Sequence, residues 1–80
     1  MLSNDEHLLI YNSAAGNSHV VEPILRNGAN VNVQDEEGNT PLHYAFKHNQ
    51  IEMIALLQRY QADPNICNIH GLRPVDLMDQ

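Results

Sequence analysis

The pair Cys67-x-x-His70, with His48 elsewhere in the chain, is the arrangement nearest to a metal site. Thiolate sulfur and imidazole nitrogen are ligands that zinc prefers, and a structural zinc needs four of them. This spacing supplies two, and no second close pair follows. Asp35-Glu36-Glu37 is another candidate. Neighbouring carboxylates can divide acid and base roles when their surroundings push their pKa values apart. His43 is the third, as a lone imidazole that could move a proton. No Ser/His/Asp set or phosphate-cradling glycine loop accompanies them. The expectation is therefore no catalytic residue, no metal, no cofactor and no enzyme. Cys67 reads as an inert thiol. The acidic triplet reads as a solvated turn, or as a fingertip that attracts a basic partner over long range.

The elements that hold these residues have little material to draw on. The chain has 80 residues, so a single domain is the ceiling. One cysteine excludes an internal disulfide and gives no sign of an oxidising compartment. Ten acidic residues against four basic ones leave a net charge of −6, which argues against nucleic acid and anionic membranes as partners. Leu8-Leu9-Ile10 is too short to span a bilayer, and the first residues are acidic where a secretory leader is basic. An intracellular, cytoplasmic protein or a piece of one is expected.

The organisation emerges when the sequence is shifted by 33 residues. Gly38 then falls on Gly71, Pro41 on Pro74 and Leu42 on Val75. Ala62-Asp63-Pro64-Asn65 falls on Ala29-Asn30-Val31-Asn32, Met53-Ile54 on Val20-Val21, Leu57 on Ile24 and Arg59 on Arg26. One offset aligns separated blocks without gaps, which is the signature of a repeat architecture.

Within the central unit the residues suit a turn and two short helices. Thr40 can cap a helix with its hydroxyl, and Pro41 suits the first helical position, where a missing N–H costs nothing. Leu42, Ala45 and Phe46 recur at helical spacing. Asn49 can end that helix in the left-handed conformation. A second helix starts near Gln50, with Ile51, Ile54, Leu57 and Met53 as its inward set. Asp35-Glu36-Glu37-Gly38 reads as a tight turn. Helices this short are unstable alone and must bury their faces on neighbouring units.

Asp35, Gly38, Thr40-Pro41-Leu42-His43, Ala45, Leu56-Leu57, Ala62-Asp63 and Asn65 together resemble the ankyrin repeat, whose period is about 33 residues with Thr-Pro-Leu-His-x-Ala at the first helix. The resemblance implies an all-α stack of helix-turn-helix units joined by inter-repeat hairpin loops. Residues 1–33 form an N-terminal capping repeat, 34–67 a full repeat and 68–80 a partial one. Four departures stand out. His7-Leu8-Leu9-Ile10 replaces Thr-Pro-Leu-His. Gln61 stands where a glycine is usual, at a cost of roughly 1 kcal/mol if φ is positive. Arg73 replaces the capping threonine, and Pro23 sits inside a helix, which it would kink or whose start it would shift.

The resemblance further implies a non-enzymatic protein-binding module that works through its hairpin tips and concave helix face. On that pattern Glu36, Glu37, Asn39, Tyr44, Lys47 and His48 face the partner, with Ile69, His70 and Leu72 at the second tip. The charge suits a partner with a basic surface. The alternative is a structural segment of a longer array with no binding activity of its own. His43 takes a structural role bonded to backbone. The short helix from Pro74 to about Asp79 leaves Leu56, Leu57, Tyr60, Val75, Leu77 and Met78 partly wet, an edge suited to self-association. Asn65, and more weakly Asn32, resemble the positions where asparaginyl hydroxylation is known in this family.

Overall fold

Two helix pairs recur in the computed structural model, which describes residues 1–78. Helix α1 (Asn4–Ala15) and α2 (Ser18–Arg26) form the first, α3 (Pro41–Lys47) and α4 (Ile51–Arg59) the second. A 3-10 turn, Pro74–Leu77, follows where a third pair would begin. The described residues contain no strand. Ser18 and Ile51 start the second helices and Arg26 and Arg59 end them, so both boundaries obey the 33-residue offset.

Each start has a local cause. At α3 the Thr40 hydroxyl accepts from the His43 N–H, and Pro41 opens the helix. At α1 Ser3 and Glu6 cap each other reciprocally: the Ser3 N–H donates to Glu6 Oε1 at 2.8 Å and the Glu6 N–H to Ser3 Oγ at 3.2 Å. That box starts α1 one turn earlier than α3 would imply. These bonds also hold the Glu6 carboxyl below its ordinary pKa, the Ser3 main-chain N–H first among the causes. Asn12 takes the place of Ala45 and is buried without being orphaned. Its Nδ2 donates to Leu8 O at 2.8 Å, and its Oδ1 accepts from Asn17 Nδ2 at 2.9 Å.

Asn49 and Gln61 lie at φ 55° and 70°, in the left-handed region expected of them. Pro23 does not shift the start of α2: the helix runs through it and keeps the register of α4. Arg73 gives up the threonine hydroxyl but retains the other half of the cap, because its N–H donates to Asp76 Oδ2 at 2.9 Å. That bond, and then the Arg73 side chain, hold the Asp76 carboxyl below its ordinary pKa. The last element is a four-residue 3-10 turn instead of a helix reaching Asp79, which lies outside the described residues.

The core joins Leu9, Val21, Leu25, Leu42, Ala45, Met53, Leu56 and Leu57. Leu42, Ala45 and Leu57 are inward as expected. In α4 the inward set is Met53, Leu56 and Leu57, whereas Ile51 is 62 % exposed and Ile54 half-buried. The reason is positional. Val21 and Leu25 of α2 are buried where the next pair packs on them. Their equivalents one period on, Ile54 and Gln58, have no second helix of a third pair over them among the described residues. Of the residues expected at the wet edge, Val75 is exposed and Tyr60, Leu77 and Met78 are half-buried, whereas Leu56 and Leu57 are closed over.

Candidate functional site

Between α1 and the hairpin that precedes α3 runs an open groove of about 1120 Å³. Its floor is apolar, with Leu2, Ile10 and Ala14, and Tyr11 and His7 stand along the α1 side. Gln34, Asp35, Glu36 and Glu37 form the opposite wall, with Tyr44 beside them.

The hairpin wall is built around Asp35. Its Oδ1 accepts the N–H groups of Glu37 at 3.0 Å and Asn39 at 2.9 Å, and its Oδ2 accepts the Tyr44 hydroxyl. Both carboxylate oxygens are therefore spent on holding the turn. Burial, and next the bond to Asp35, raise the Tyr44 phenol above its ordinary pKa. Glu36 and Glu37 are exposed and make no ion pair among the described residues. Gly38 turns the tip at φ 79°. A Cβ there would stand 3.0 Å from Asn68 Cα and Ile69 N, so no side chain fits between the hairpins.

The second hairpin is tied to the first. The Ile69 N–H donates to Glu37 O at 2.9 Å, and Asn68 Nδ2 to Asn39 Oδ1 at 2.9 Å. Asn39, expected to face the groove, is instead 9 % exposed and occupied by that bond. His43 is fully buried and structural. Its Nδ1 accepts from the Thr40 N–H at 3.0 Å, so the proton sits on Nε2, which donates to Leu72 O at 2.9 Å. The tautomer follows from these partners.

The remaining candidates divide. Glu36, Glu37 and Tyr44 are brought together in the groove. Lys47, His48, Ile69, His70 and Leu72 are exposed but do not line it. Cys67 is exposed, and no group of three metal-ligating side chains occurs among the described residues. Sequence reasoning placed no partner-binding role on Tyr11, yet it is 71 % exposed in the groove. The offset from Tyr44 was the available signal, since Tyr11 stands one 33-residue period before it. Asn65 is exposed, with its N–H bonded to Asp63 Oδ1 at 2.8 Å, whereas the Oδ1 of Asn32 already accepts from the Asp63 N–H at 2.8 Å.

Among known proteins, the family model described as ankyrin repeats (many copies) matches residues 24–78, and the ankyrin repeat model matches residues 4–36. The chain is 50 % identical over 54 residues to an ankyrin repeat protein of Acanthamoeba polyphaga mimivirus, covering 68 % of this chain and 13 % of that protein. It is 41 % identical over 71 residues to the 2-5A-dependent ribonuclease of Homo sapiens, covering 88 % and 10 %. It is 35 % identical over 78 residues to the human transient receptor potential cation channel subfamily A member 1, covering 95 % and 7 %. The chain thus spans only a small part of the length of these relatives. No helix among the described residues is long and apolar enough to cross a membrane. Ankyrin repeats are in general non-enzymatic protein–protein interaction modules. The 33-residue period, the capped helix pairs and the tied hairpins agree with both family models: the chain belongs to the ankyrin repeat family.

Proposed function

We propose that this chain binds a protein partner through the groove and the hairpin tips, and that the partner presents a basic surface. The observation that carries this reading is the division of labour in the acidic triplet. Asp35 is consumed by the fold, while Glu36 and Glu37 stand free beside an apolar floor. Free carboxylates on a chain of net charge −6 steer cationic partners and repel anionic ones. Tyr44 supports the wall, and Lys47, His48, Ile69, His70 and Leu72 extend the available surface beyond it. The exposed free thiol of Cys67 suits a reducing, cytoplasmic setting. Affinity capture with the wild-type chain and with Glu36→Lys/Glu37→Lys, read by mass spectrometry, tests it. Proteins retained by the first and lost by the second are expected, and identical sets would end the reading.

A second reading rests on a different observation. Val21 is fully buried, but its equivalent Ile54 is only half-buried, and Ile51, three residues before it on α4, is exposed. Such a face either docks on another chain or self-associates. Sedimentation across micromolar concentrations tests the second option. Concentration-dependent mass that Ile54→Glu abolishes is expected, and a monomer throughout would remove self-association.

Asn65 is the position we assign to asparaginyl hydroxylation, because it is exposed in its turn while the side chain of Asn32 is engaged. An unchanged intact mass after co-expression with such a hydroxylase would dispose of this assignment.

A further inference from the structure

The two tyrosines of the groove are equivalent by the repeat and opposite in state. Tyr44 is half-buried and its hydroxyl is held by Asp35. Tyr11 stands on α1 with 71 % of its surface exposed, and its hydroxyl makes no hydrogen bond within the described residues. The groove therefore offers a free aromatic face on one side and the carboxylates of Glu36 and Glu37 on the other. Leu2, Ile10 and Ala14 line the same groove. Apart from the Met1 amino terminus and His7, no lining residue carries a basic group.

These surfaces ask for different things of one occupant. An aromatic face attracts a cation, and a planar guanidinium stacks on it better than an ammonium does. A carboxylate pair accepts the forked N–H groups of the same guanidinium. The apolar floor recovers free energy only if an apolar side chain covers it. At about 1120 Å³ the groove exceeds the roughly 300–1,000 Å³ of a small-ligand pocket, which suits a peptide segment.

We infer that the groove receives a short protein segment in which an arginine neighbours an apolar residue, the guanidinium lying between Tyr11 and the Glu36/Glu37 carboxylates and the apolar side chain on Leu2, Ile10 and Ala14. This rests on the groove reading above and deepens it by naming the chemistry of the partner. Phosphorylated and acidic segments are excluded by the same two carboxylates.

The test is selection of a random hexapeptide library on the full 80-residue chain, followed by fluorescence anisotropy of the selected peptide. Enrichment of arginine beside Leu, Ile, Val, Met or Phe is expected. Replacing that arginine by glutamine should weaken binding at least tenfold, and replacing it by lysine several-fold. Glu36→Gln/Glu37→Gln and Tyr11→Ala should each weaken it several-fold or more. The control Glu22→Gln/Glu52→Gln removes the same charge away from the groove and should leave binding within twofold. Equal losses in the control double variant would reduce the effect to net charge and overturn the inference, as would selection of peptides without arginine. Amide chemical-shift mapping separates the two layers of the argument. Arginine-free peptides that still perturb Tyr11, Ala14 and Glu37 would overturn the arginine and keep the groove. Selected peptides that perturb residues elsewhere would overturn both.

Discussion

His43 Nε2 donates to the carbonyl oxygen of Leu72 across 29 residues of sequence, at 2.9 Å. The same ring accepts the Thr40 N–H, so one buried imidazole caps its own helix and fastens the next hairpin. His43→Ala leaves the buried Thr40 N–H without its partner and opens a cavity, while Leu72 O keeps the bond from the Asn68 N–H at 2.9 Å. The orphaned N–H costs about 1–3 kcal/mol and the cavity adds to it, so destabilisation of about 3 kcal/mol is expected. Urea denaturation checks it, and a loss below about 1 kcal/mol would show that water replaces the ring.

Leu57 and Ile54 sit one helical turn apart and differ in burial, 0 % against half-buried. Leu57→Ala should cost roughly 2–5 kcal/mol, the range for a closed core site. Ile54→Ala should cost about 1 kcal/mol, because part of its surface is already in water. Paired melting curves measure the difference. Equal effects would mean that Ile54 is covered in solution.

Gln61 holds φ 70° at the place where the preceding repeat has Gly28 at φ 96°. Glycine relieves the left-handed strain of about 1 kcal/mol and returns part of it as unfolded-state entropy. Gln61→Gly is therefore expected to stabilise the chain by about 0.5 kcal/mol. A lower midpoint in urea would show that the Gln61 side chain contributes in a way its backbone geometry hides.

The raised pKa of Tyr44 sets an alkaline limit. A group whose folded pKa exceeds its unfolded value stabilises the fold fully below the unfolded value and loses that contribution as pH rises through the folded one. The Tyr44 contribution is thus present at neutral pH and lost above the ordinary phenol range. Absorbance titration of the three tyrosines should show one late transition that Tyr44→Phe removes. The same variant should flatten the loss of stability on the alkaline side.

The helix pairs were legible because they depend on residues close in sequence, whereas the period was legible through the 33-residue offset and the role of His43 through the family pattern, since His43 reaches Leu72 29 residues away. Thr40, Pro41, Gly38 and Asn49 act through their own φ, hydroxyl or missing N–H, which a sequence displays. Ser3-x-x-Glu6 has the spacing of a capping box and was equally legible as a helix start. Ile51 and Ile54 were misplaced for another reason: periodicity locates an apolar stripe but not what lies across from it. Asn39 was misplaced because its partner, Asn68, comes from the next hairpin, 29 residues away. The groove depended on the contrast between Tyr11 and Tyr44, because only Tyr44 has its hydroxyl held by Asp35.

The bond from the Ile69 N–H to Glu37 O joins the backbones of the two fingertips next to the free Glu37 carboxylate. Asn68 and Asn39 brace the same junction from within. A pull on the Glu37 side chain is therefore shared at once by both loops, which resist as one plate and not as two separate prongs. Spread in this way, a load on one fingertip is carried by both, and the stiffness of the tips is set by the junction between repeats instead of by either loop.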